Sequence, residues 1–195
     1  MSRGSGQDRD LAECFISVDV ETGGATPADY ALLSIGACLV DDPETTFYVE
    51  LKPEDKRSTQ EALEVSKLSL DILATMGEPP AEAMQRFADW VRDVVPEGYR
   101  PIFVGFNAPF DWMFVADYFE RYVGRNPFGF AALDIKALAM GRLGCTWGET
   151  SMSVLGPKYL SGRPLAHHAL SDAQDQAALF RAIYAEPAHP REDTP

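Results

Sequence analysis

Residues 32 to 40, LLSIGACLV, form a nearly continuous apolar run. A strand of that composition is buried on both faces, so the chain is committed to a layered fold. Its neighbours extend the pattern. Residues 14 to 21, CFISVDVE, read as a strand ending at Gly23-Gly24. Asp41-Asp42-Pro43 makes a turn, and residues 45 to 51, TTFYVEL, read as the third strand of a meander. Residues 59 to 76 carry helix formers without a clean single face. From Pro80 the spacing of Met84, Phe87, Val91 and Val94-Val95 predicts an amphipathic helix with proline at its start. Residues 101 to 106, PIFVGF, are a fourth strand, and residues 109 to 123 have helical period, closed by Gly124. Residues 131 to 133 read as a short fifth strand, followed by a helix through Met140. Residues 141 to 163 read as mostly loop, and a last helix begins at 169 to 172 and runs to about Tyr184. This order predicts an α/β fold, a mixed five-stranded sheet flanked by helices. One domain is expected over residues 13 to 186, with flexible ends at 1 to 12 and 187 to 195.

Composition narrows the function. The net charge of −13 argues against a nonspecific duplex-binding protein, which would be basic. Between residues 121 and 163, however, Arg121, Arg125, Lys136, Arg142, Lys158 and Arg163 face only Asp134 and Glu149. A basic surface on an acidic protein is therefore open, although scattered solvated charges are the plainer account. No apolar run approaches the ~20 residues of a membrane helix, and MSRGSGQDRD lacks the apolar core of a signal peptide. Cys14, Cys38 and Cys145 are odd in number and follow neither a CxxC nor a zinc spacing, which points to a reducing, cytoplasmic compartment.

In the first strand, alternation sends Ile16, Val18 and Val20 one way and Ser17, Asp19 and Glu21 the other. Asp19 and Glu21 thus project side by side, about 6.6 Å apart at the backbone. Burying adjacent negative charges costs several kcal/mol unless a cation compensates, and oxygen ligands suit magnesium or manganese. On the pair alone, a strand end reaching water is the readier account. Asp111, in VGFNAPFDWMF, falls in the first turn of a helix just past a strand, beside Asn107. Asp172 also lies in the first turn of a helix, behind His167 and His168. A carboxylate at a helix start is favourable to the dipole without any metal. Together, four carboxylates and a histidine make a coherent set. Two divalent ions can clamp a phosphodiester, and a neutral histidine can take a proton from water.

The order of these motifs resembles the DEDD-type 3'→5' exonucleases of the ribonuclease H-like superfamily, the group of ribonuclease T, oligoribonuclease and the bacterial proofreading subunit. The segments that carry the resemblance are SVDVETGG (Asp19, Glu21), GFNAPFDWMF (Asp111) and HHALSDA (Asp172), with ALDIKALA between the last two. It covers roughly residues 14 to 184. It implies a ribonuclease H-like fold and two Mg2+ or Mn2+ ions. Asp19 bridges both, Glu21 and Asp172 complete the first site, and Asp111 holds the second. The family's histidine branch keeps its general base five residues before the last aspartate, which is His167 here; His168 has no assigned role. The implied substrate is the 3' end of single-stranded RNA or DNA, or a short oligonucleotide, with release of nucleoside 5'-monophosphates. Thr22, Gly23, Gly24 and Asn107 are expected near the terminal nucleotide, Phe110 and Trp112 as stacking partners, and Lys158 and Arg163 near phosphates. A homodimer is open, because some relatives are dimers. Two other readings remain: an accessory or proofreading subunit acting through a protein partner, and a non-catalytic nucleic-acid-binding relative.

Overall fold

β1 (Ala12–Thr22) is the middle strand of the sheet. It pairs antiparallel with β2 (Leu32–Leu39) and parallel with β4 (Tyr99–Gly105). β3 (Thr46–Glu50) adds antiparallel to β2, and β5 (Ala132–Asp134) adds parallel to β4, giving the order β3-β2-β1-β4-β5. This computed structural model describes residues 11–54, 57–161 and 167–187. The terminal segments expected to be flexible thus fall almost wholly outside the described residues, as does Arg163. Ala12, expected in the flexible start, already belongs to β1.

Two layers of helix cover the sheet. α3 (Pro80–Val94) and α4 (Ala108–Tyr122) pack Phe87, Val91, Phe114 and Phe119 against Ile16, Val18, Val20 and Ile35. α5 (Ile135–Leu143), α6 (Met152–Tyr159) and α7 (Ala169–Ala185) cover the other face, where Leu155, Phe180 and Ile183 meet Cys38 and Val104. β2 is therefore buried from both sides, as its composition requires.

Residues 59 to 76 form two short helices rather than one. α1 (Gln60–Ser66) is capped by the Thr59 hydroxyl and α2 (Leu70–Met76) by the Ser69 hydroxyl, with Lys67 in a left-handed turn between them. The expected loop at 141 to 163 is a correction. It contains a 3-10 turn (Trp147–Thr150) as well as α6, which has Pro157 inside it. Burial of Leu155 and Leu160 against α7 outweighs the hydrogen bond the proline removes.

One glycine sets how closely α7 approaches. Gly36 on β2 stands opposite Asp19 in the β1 register. A Cβ there would lie 2.1 Å from the Leu170 nitrogen and 2.2 Å from the Ala169 carbonyl carbon. The start of α7 thus rests directly on the sheet beside Asp19, and Asp172 follows one turn later.

Candidate active site

The C-terminal end of β1, the first turn of α4 and the first turn of α7 meet at one place. One carboxylate oxygen from each of Asp19, Glu21 and Asp172 lies within 4.8 Å of the others. Asp111 is buried in α4 and adjoins this cluster, accepting the Val20 backbone N–H at 3.1 Å. The Asp111 carboxylate is thereby fastened between the two acidic residues of β1.

Burial and mutual repulsion hold these groups toward the protonated state. Asp19 is raised well above the ordinary carboxylate range by burial first, then by the charges of Asp111, Asp172 and Glu21. Burial, helped by Asp172, lifts Glu21 to about 7. Asp111 is lifted to about 8, again chiefly by burial, against the opposing Val20 hydrogen bond. Among the described residues, no lysine or arginine forms an ion pair with Asp19, Glu21 or Asp111. All the donors are oxygens. Clustered carboxylate oxygens drawn from three elements fit hard divalent cations.

A consequence for stability follows from the directions of these shifts. Without metal, folded Glu21 and Asp111 retain protons up to about 7 and 8, whereas unfolded carboxyl groups release theirs near pH ~4. The folded state binds more protons across that window, so metal-free stability is highest at its acid end. It is lost as the pH rises through the folded values. A divalent cation must displace those protons. Mn2+ is therefore expected to raise Tm over the EDTA value more at about pH 8.5 than at about pH 6. Differential scanning fluorimetry reads this directly, and equal increments at both pH values would contradict it.

Gln176, absent from the sequence expectations, holds the cluster in place. Its Nε2 donates to Asp19 Oδ1 at 2.6 Å, and its Oε1 accepts the Phe106 backbone N–H at 2.9 Å. The backbone donor forces the amide to present its NH2 to Asp19. Gln176 sits four residues after Asp172, on the same face of α7. That spacing was visible in the sequence, but its partners were not. Asp134 acts similarly at the neighbouring strand ends. It caps α5 through Lys136 and Ala137 N–H and accepts the Ala108 N–H that opens α4.

The expected binding residues separate into two groups. Glu21, Thr22, Gly24 and Phe110 line a groove of about 440 Å3, closed on the other side by Thr59, Ala62 and Val65 of the α1 region. The Thr22 hydroxyl donates to the Gly24 carbonyl at 2.8 Å and leaves its lone pairs for other donors. Gly23 and Gly24 are required first by packing. Added Cβ atoms would stand 2.9 Å from the Arg57 carbonyl oxygen and 2.5 Å from the Tyr30 ring. Asn107 is exposed in the left-handed region (φ 62°) ahead of α4, and its side chain does not cap the helix. Trp112 is half-buried beside Asp111. Its ring meets Phe103 edge-on, with centroids 5.3 Å apart, and packs against the core. Lys158 lies over the Tyr159 ring.

His167 is exposed at a left-handed residue (φ 52°), five positions before Asp172. It makes no hydrogen bond to the carboxylates among the described residues. His168 gains an assignment. It is the residue before α7 and stacks on Tyr48 of β3, with ring centroids 4.6 Å apart.

Acidic residues gathered at the strand ends of a mixed sheet with helices on both faces suit divalent cations that clamp a phosphodiester. Solved structures that this fold matches include exonucleases. The nuclease domain of 3'hExo, a DEDDh family member bound to rAMP, superposes with a TM-score of 0.70 at 13% identity, over 89% of this chain and 92% of that domain. Escherichia coli exonuclease I in complex with a dT13 oligonucleotide matches with a TM-score of 0.70 at 19% identity, over 89% of this chain and 41% of the larger enzyme. The family model of the Rv2179c-like 3'-5' exoribonuclease domain matches residues 14–184, and the chain belongs to that family. The 3'-5' DNA exonuclease Cap18 of Escherichia coli is 45% identical over 171 residues, 88% of this chain and 91% of Cap18. The chain is thus a 3'-5' exonuclease.

Proposed function

We propose that this exonuclease removes nucleoside 5'-monophosphates from the 3' end of short single strands, with Mg2+ or Mn2+ held by Asp19, Glu21, Asp111 and Asp172. The carrying observation is the convergence of Asp19, Glu21 and Asp172 within 4.8 Å beside a groove sized for one nucleoside. When bound, such ions lower the pKa of an attacking water and stabilise the leaving oxygen. Asp19 is oriented for its part by Gln176, and Asp111 by the Val20 N–H. The terminal nucleoside occupies the groove, with its base against Phe110. Water attacks the last phosphodiester, the bond from phosphorus to the upstream 3' oxygen breaks, and His167 accepts the proton released by the water.

Short single strands suit a chain of net charge −13, because few phosphates must be neutralised. The sugar is the finer question, since the family description names an exoribonuclease and Cap18 a DNA exonuclease. Cys14, Cys38 and Cys145 are unpaired, which suits the cytoplasm, and no described helix is long and apolar enough to cross a membrane. With Mn2+, the protein is expected to shorten 5'-labelled RNA or DNA stepwise and to release nucleoside 5'-monophosphates. No product from RNA, DNA or a dinucleotide would remove the proposal.

A further inference from the structure

We propose that Lys136 and Trp147 form a second subsite, a stacking and phosphate-binding seat for the nucleotide upstream of the scissile bond. This rests on the exonuclease reading above.

A contact path leads from the acidic cluster to this pair. Asp19 accepts from Gln176, and Gln176 accepts from the Phe106 backbone at the end of β4. The Phe106 ring lies 5.9 Å from the Lys136 ammonium, which stands 4.1 Å above the Trp147 ring. The groove for the terminal nucleoside runs from Glu21 past Thr22 and Gly24 to Thr59, Ala62 and Val65 of the α1 region, and none of Phe106, Lys136 and Trp147 lines it. A strand whose last phosphate sits at the carboxylates therefore runs upstream toward Phe106, Lys136 and Trp147.

The chemistry fits a single strand. Trp147 is 52% exposed, a large apolar surface left in water. Its 3-10 turn is held by a capping box, in which the Thr146 N–H and hydroxyl both bond Glu149. A rigid aromatic face stacks on any base, and an adjacent ammonium meets the phosphate. The nearby carboxylates are engaged elsewhere: Glu149 by Thr146, and Asp134 by three backbone N–H groups. Lys136 makes no ion pair among the described residues.

This also accounts for the basic run in the sequence. Arg121 is paired with Glu54 and Asp117, and Arg142 donates to the Tyr184 carbonyl. Lys158 lies over Tyr159, and Arg125 borders the opposite, N-terminal end of β4 with Tyr99 and Pro101. Of the described members, Lys136 is the one linked to the acidic cluster, through Phe106 and Gln176.

The test compares wild type, Trp147→Ala, Trp147→Phe and Lys136→Gln on fluorescein-labelled rA and dA strands of ~12 nucleotides and on a dinucleotide. Anisotropy in Ca2+ is expected to show Trp147→Ala binding the longer strand about tenfold more weakly, with Trp147→Phe recovering most of the loss. Lys136→Gln is expected to reduce the salt slope of binding by about 0.7, one phosphate contact. The ratio of kcat/KM on the long strand to that on the dinucleotide should fall about tenfold in Trp147→Ala. Phe130→Ala, which removes a fully exposed aromatic near the other end of β5, should leave that ratio unchanged. An unchanged ratio and affinity in Trp147→Ala, or equal losses on both substrates, overturns the subsite. If wild type cleaves nothing, the exonuclease reading fails, and the anisotropy series still decides whether Trp147 binds single strands.

Discussion

Asp19→Asn is expected to lose cleavage by on the order of 10³-fold or more and yet to raise Tm in EDTA. The two effects have one origin. The Asp19 carboxylate is half-buried facing Asp111, Asp172 and Glu21, and both desolvation and those charges oppose its ionisation. Asparagine has nearly the same shape and keeps an acceptor for the Gln176 amide, so it removes the repulsion while leaving the hydrogen bond of 2.6 Å in place. Each kcal/mol relieved adds about 2–4 °C to Tm in a chain of this size. The neutral amide would also hold a divalent cation more weakly than the carboxylate. Several kcal/mol of charge stabilisation at the reacting phosphate go with it, and each ~1.4 kcal/mol is tenfold in rate. The Tm increment produced by Mn2+ in wild type should shrink in the same variant. A lower Tm in EDTA would show that Asp19 anchors the fold rather than straining it. Retained metal-dependent cleavage would remove it from the metal site.

Some of this was legible in the sequence because it depends on local period. Alternation along β1 separates Ile16, Val18 and Val20 from Asp19 and Glu21, and the structure buries the first set under α3 and α4. The strand-then-helix punctuation around Asn107 and Asp111 is equally local. What could not be read depends on contacts distant in sequence. Gly36 is one glycine inside an apolar run, and its importance appears only when the backbone of α7 presses on it. Gln176 has no chemistry of its own that marks it, and its role needs Phe106 and Asp19 in place. Trp112 and Trp147 show the limit most clearly. Trp112 adjoins Asp111 in the chain, but successive residues on a helix point about 100° apart. Trp112 is thereby turned onto Phe103, whereas Trp147, from a segment read as loop, is exposed beside Lys136.

His167→Asn is expected to slow turnover by on the order of 10²–10⁴, the usual cost of losing a general base. Asparagine is the informative replacement, because it tolerates the left-handed conformation that His167 adopts at φ 52°. The variant removes the imidazole without adding strain to the segment entering α7. Its metal-induced Tm increment should match wild type, since the carboxylates are intact. His168 tests the assignment from the other side. Its ring stacks on Tyr48 at 4.6 Å and holds the start of α7 against β3. An aromatic pair of this kind contributes about 0.5–1.5 kcal/mol, so His168→Ala should cost roughly tenfold or less, and His168→Phe should restore most of it. A base at position 168 would instead make His168→Phe as damaging as His168→Ala. The order of the two histidines along the chain thus separates into a chemical role and a positioning role, and the phenylalanine variant distinguishes them.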